Sequence, residues 1–130
     1  MAEVTILKMG DNIIVPIQVE LHDRAAKKVQ EDILKKIEET SASGLLIDLS
    51  AVTIVDSFLG RLIAETARMA GLMGAKTVLV GLKKEVVITI LQLGMGTQGL
   101  DTALNMEYGL ELLEKRRSEE KENSEAENET

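Results

Sequence analysis

The order of hydrophobic patterns along this chain predicts an α/β fold: a single mixed β-sheet with helices packed on it, entered through an N-terminal β-hairpin. Three observations carry that expectation. Two continuous apolar runs, GLLIDL at 44–49 and KTVLVG at 76–81, read as strands covered on both faces. Between and around them lie amphipathic stretches with helical spacing. Ahead of both, two β-prone runs are separated by the turn cluster Gly10-Asp11-Asn12.

The elements follow in order. Residues 4–9 and 12–19 form the hairpin, and Pro16, which cannot donate to a ladder, calls for a bulge or a sheet edge. Asp23 opens a helix to about Thr40. Ala26, Val29, Ile33 and Ile37 recur on one face, Lys27, Lys28, Glu31, Lys35 and Glu38 cover the other, and Asp23 is the expected N-cap. After the strand at 44–49 comes a loop through 50–55, then a helix from Ser57 to about Met73. Arg61, Glu65 and Arg68 make its polar stripe, with Leu62, Ile63, Ala67, Met69 and Ala70 opposite or flanking.

Residues 86–93 are β-branched, yet Glu85, Thr89 and Gln92 keep helical spacing and Gly94 supplies a stop, so they read as helix. A short strand at 99–104 and a helix at 106–116 complete the order β-β-α-β-α-β-α-β-α. There are no internal repeats, and right-handed crossovers would join the parallel strands.

At 130 residues and 45% hydrophobic content, one core and one domain are expected, over 1–116. Of the net charge of −7, the last 13 residues carry −5, so residues 1–117 are nearly neutral at −2. That Glu-rich end has no large apolar side chain, and residues 117–130 are expected to form an acidic, disordered tail. The acidity disfavours a phosphate-backbone binder. Phe58 and Tyr108 are the only aromatics, too few for a base-stacking surface. Zero cysteines exclude disulfides, thiol nucleophiles and Cys-ligated metal. No secretory signal or apolar span is visible, so the expectation is a soluble, cytoplasmic protein without membrane or nucleic-acid partners.

Several constellations have ordinary readings. Residues 94–99 spell G-x-G-x-x-G, but the run follows a helix and leads towards a strand, the reverse of a dinucleotide site, so it reads as a turn. His22 is the only histidine and lacks partners for a triad or a zinc site; it reads as a surface turn or cap residue. Asp48, Asp56 and Asp101 fall at strand ends and read as turn carboxylates. No catalytic set, cofactor or metal site is expected.

The stretch 54–61, Ile-Val-Asp-Ser-Phe-Leu-Gly-Arg, follows the central strand and opens a helix. Capping alone accounts for Asp56 or Ser57. It does not account for Phe58 at the first helical turn, which is either core or an exposed anchor for a partner.

Here the chain resembles the STAS-domain family of bacterial anti-anti-sigma factors, and within it the stressosome antagonists of the RsbS type. The resemblance lies in LKMGDN at 7–12, VELHDR at 19–24, QEDIL at 30–34, LIDLS at 46–50, IVDSF at 54–58 and TALN at 102–105. It covers about residues 4–113. Ordinary anti-anti-sigma factors have Asp-Ser-Ser-Gly-Leu at the helix start. The Phe58, Leu59 and Gly60 found here favour the stressosome branch.

The resemblance implies a non-enzymatic scaffold that assembles with RsbR-type co-antagonists and with copies of itself, and sequesters an RsbT-type serine/threonine kinase. Ser57 matches the serine that the kinase phosphorylates to free itself, and Asp56 the acidic residue before it. Phe58 and Gly60 flank that serine. Asp23 stands where the sister RsbR subunits carry a second phosphorylatable threonine. An RsbX-type phosphatase would reset the system. A stand-alone anti-anti-sigma factor, binding an anti-sigma kinase through the same serine, is the alternative.

Overall fold

The apolar run at 44–49 occupies the middle of a five-stranded sheet, flanked on each side by strands that the chain reaches in sequence order. The computed structural model describes residues 4–18, 21–92 and 100–128. Strands β1 (Leu7–Met9) and β2 (Asn12–Pro16) form the expected antiparallel hairpin. Strands β3 (Gly44–Asp48), β4 (Lys76–Val80) and β5 (Leu100–Ala103) follow in parallel, giving the order β1-β2-β3-β4-β5. Between them run helices α1 (Asp23–Thr40), α2 (Ser57–Leu72) and α3 (Lys84–Gln92), and α4 (Met106–Asn128) closes the chain.

Side-chain alternation explains why the strand sequences are apolar without a break. Ile13, Val15, Leu45, Ile47 and Leu79 point into the main core with α1, α2 and α3. Their neighbours Ile14, Leu46, Val78 and Val80 point the other way, where α4 covers them with Leu113. Both faces are therefore dry. The second face is roofed by one helix, and Gly109 lets that helix lie close. A Cβ there would stand 2.7 Å from Val80 Cγ1 and 2.9 Å from Leu46 Cδ1.

Pro16 is accommodated by its position. Ile17 N–H donates to Asp48 O at 3.0 Å, so the amide position of Pro16 faces the opposite side, where the pairing with β1 has already ended at Leu7↔Ile14. No ladder bond is lost, and no bulge is needed. The strand ends there rather than running on to 19.

Two further expectations differ from the structure. Asp23 is the first helical residue, not the cap. His22 holds the cap position in extended backbone, with no side-chain bond, and its carbonyl accepts from Ala26 N–H at 2.8 Å. On α2, Met69 flanks the polar stripe and is half-exposed. Buried Thr66 on the same helix accepts a 3.1 Å hydrogen bond from Gln30 Nε2 of α1.

The largest difference is at the C-terminus, where α4 continues through the stretch expected to be an unstructured tail, so the boundary at 116 falls inside a helix. Side-chain pairing explains the extension: Arg117 meets Glu114 at 2.6 Å, Arg116 meets Glu119 and Asp101 at 3.2 Å, and Lys76 meets Glu120 at 3.2 Å. Hydrogen bonding to Asp101 and then to Glu119 raises the Arg116 pKa above its ordinary value. Beyond Glu120 the described side chains are all exposed. The run at 94–99 lies outside the described residues.

Candidate functional site

A short loop at the carboxyl end of β3 positions the candidate serine. Asp48 starts it, its Oδ1 accepting from Ser50 N–H at 2.9 Å. Leu49 N–H donates to Val80 O at 2.9 Å, and Lys83 Nζ donates to Ser50 O at 2.7 Å, tying the loop to the β4 side. Val52 and Val55 are buried and anchor it to the core, while Ile54 between them is 72% exposed. The chain then enters α2 at a fixed angle.

Asp56 caps that helix. Its backbone is extended (φ −83°, ψ 175°), and its Oδ1 accepts from Leu59 N–H at 2.8 Å. Gly60 N–H donates to Asp56 O at 3.0 Å, closing the first turn. Ser57 is the first helical residue and is exposed, and its hydroxyl makes no hydrogen bond to any described residue. The first turn of α2 carries no acidic side chain. An anion on Ser57 would therefore meet the positive end of a helix dipole, with the capping Asp56 carboxylate as the like charge beside it.

Phe58 does not take the core position. It is 37% exposed, and the core position belongs to its neighbour Leu59. Gly60 is buried and flanks the serine from the core side.

Because β2 and β3 are parallel, the helices that follow them both begin at the same end of the sheet, which brings α1 and α2 side by side. Asp23, exposed at the start of α1, shares a surface groove with Phe58, Arg24, Lys27, Lys28 and Glu31. Ser57 and Phe58 share a second groove with Lys27, Arg61, Leu62 and Glu65. His22 and Asp56 border a third hollow against the 51–54 loop. The residues named from the sequence thus gather at one end. Lys27 and Arg61 were not among them. Sequence spacing gave Arg61 only as part of a wet stripe, and nothing in a one-dimensional pattern brings Lys27 across from another helix.

The other carboxylates are engaged locally. Asp48 serves its turn, Asp56 its cap and Asp101 its pair with Arg116, so no two of them face across a cleft.

The fold and this helix-start site define the class. A family model described as the STAS domain matches residues 3–101, and the chain belongs to that family. Within it, the chain sides with the RsbS type. A serine-to-glutamate variant of Moorella thermoacetica RsbS superposes with a TM-score of 0.81 at 37% identity, over 90% of this chain and 99% of that one. A chain from a structure described as the molecular architecture of the stressosome, a signal integration and transduction hub, superposes at 0.77 with 39% identity, over 87% and 98%. Among curated proteins, the RsbT co-antagonist RsbRA of Bacillus subtilis is 25% identical over 82% of this chain, which spans 39% of that protein's length. No described helix is long and apolar enough to cross a membrane.

Proposed function

We propose that this chain is a cytoplasmic, non-enzymatic scaffold subunit of a stressosome, and that it holds an RsbT-type kinase and releases it when Ser57 is phosphorylated. It assembles with RsbR-type co-antagonists, and an RsbX-type phosphatase removes the phosphate. One observation carries the reading: Ser57 stands exposed on the first turn of α2, between a carboxylate already committed to capping and a half-exposed Phe58. Kinship with RsbS and with an RsbT co-antagonist supports the choice of partners.

The physics of release is electrostatic. Phosphorylation adds about −1.5 to −2 charges and three acceptor oxygens. A dianion ~6 Å from an acidic group, at an effective dielectric constant of ~40, is repelled by roughly 2–3 kcal/mol. If a partner presents such a group at the seam, its affinity falls by about 30- to 150-fold. The charge also loses water in any dry contact centred on Phe58. The partner leaves while the domain stays folded.

The test is to incubate the protein with an RsbT-type kinase and ATP and to map the added mass by peptide mass spectrometry. Phosphate on Ser57 is expected. A stoichiometric phosphate elsewhere, or none, overturns the reading. Particle size separates the stand-alone alternative: with an RsbR-type partner, this subunit forms megadalton particles, whereas a lone anti-anti-sigma factor stays a small complex.

A further inference from the structure

Two cations stand beside Ser57. Lys27 of α1 and Arg61 of α2 line the same groove as Ser57, and neither makes an ion pair or side-chain hydrogen bond with a described residue. Several other basic side chains are paired. Lys28 binds Asp32 at 2.8 Å, Arg116 binds Asp101 and Glu119, and Arg117 binds Glu114. Of the nearby carboxylates, Asp56 accepts from Leu59 N–H, and Glu65, which lines the groove, accepts from Gln30 Nε2 at 3.3 Å; neither is in an ion pair with Lys27 or Arg61. Arg61 follows Ser57 by four residues, so both project from one face of α2, while Lys27 approaches from the neighbouring helix.

We propose that Lys27 and Arg61 form a phosphate-holding pair for phosphorylated Ser57, closing on it from two helices. This rests on Ser57 being the phosphoacceptor and adds what happens to the phosphate afterwards. A guanidinium can take two phosphate oxygens side by side, and an ammonium supplies a point charge to the third. The hydroxyl is neutral, so the unmodified groove, lined by Lys27, Arg61 and Glu65, carries one net positive charge, and a phosphate on Ser57 would meet two cations that are in no ion pair. In the modified protein the phosphate lies across Lys27 and Arg61, along the flank of Phe58. It is thereby fixed over the partner-facing surface rather than left waving in solvent.

The test installs phosphoserine at position 57 during synthesis, so no kinase is needed, and follows the phosphate by ³¹P NMR as pH is varied. Free phosphoserine takes up its second proton near pH ~6. The pair should hold the dianion and lower that value by about 0.5 unit or more relative to an unfolded phosphopeptide of the same segment. Lys27→Met and Arg61→Gln should each move it back towards the peptide value, Arg61→Lys should keep part of the shift, and Lys28→Met should leave it unchanged. All three side chains are exposed, and matching thermal midpoints of the unmodified variants show that the fold is intact. A folded-protein value equal to the peptide's, unmoved by Lys27→Met and Arg61→Gln, overturns the proposal. Failure of the kinase reading would appear separately, as absence of enzymatic phosphate on Ser57.

Discussion

The two ends of the sheet are finished in opposite ways. Where the strands begin, polar groups answer one another: Arg117 of α4 donates to Ser43 Oγ at 2.8 Å and to Asn12 Oδ1 at 2.7 Å, and Lys76 of β4 meets Glu120. Where the strands finish, the molecule leaves a serine hydroxyl, Ile54, Phe58 and two cations without partners among the described residues. One end uses its interactions to hold α4 on the sheet. The other keeps them available. On the proposed function, binding falls at the end where the fold has not already satisfied its own groups.

Four substitutions would break or sharpen this contrast. The largest effect is expected from Phe58→Ala, which should weaken kinase binding by about 2 kcal/mol or more, near 30-fold. Its cost in urea unfolding should stay below about 1 kcal/mol, because the ring is only partly buried. Equal affinity would mean that the open end has a different anchor. At the latched end, Gly44→Ala pushes a methyl into Asn12 Oδ1, the acceptor of Arg117, and to 3.1 Å from Leu113 Cδ1. Overpacking there should cost about 1–3 kcal/mol in chemical denaturation and leave kinase affinity unchanged. Asp56→Ala removes the cap of α2 and should cost about 1 kcal/mol by the same assay, while also loosening the turn that aims Ser57. Arg117→Ala, the mildest, should cost about 0.5–1.5 kcal/mol and fray the end of α4, read as lost helical signal in circular dichroism.

Much of the fold was legible in the sequence because periodicity carries it. The runs at 44–49 and 76–81 could be read as doubly covered strands since both of their faces meet helices. The β-branched run from Val86 to Ile90 was read correctly as helix from its polar spacing, even though only Val86 is fully buried. Asp56-Ser57 could be singled out since a cap has a local signature. What escaped was interaction between distant segments. Composition alone made 117–130 look unstructured, but Arg117 bonds to Asn12, 105 residues away, and Glu120 reaches Lys76. Thr66 and Gln30 look like surface residues in one dimension, yet they hydrogen-bond to each other in the α1–α2 seam. Lys27 belongs to the site only because two parallel strands deliver their helices to the same end.

The most direct test compares the affinity of an RsbT-type kinase for the unmodified protein with its affinity for the same protein carrying phosphoserine at 57, by titration calorimetry at fixed ionic strength. The account predicts a loss of about 30- to 150-fold on phosphorylation with the thermal midpoint essentially unchanged. Equal affinities for the two forms would contradict it.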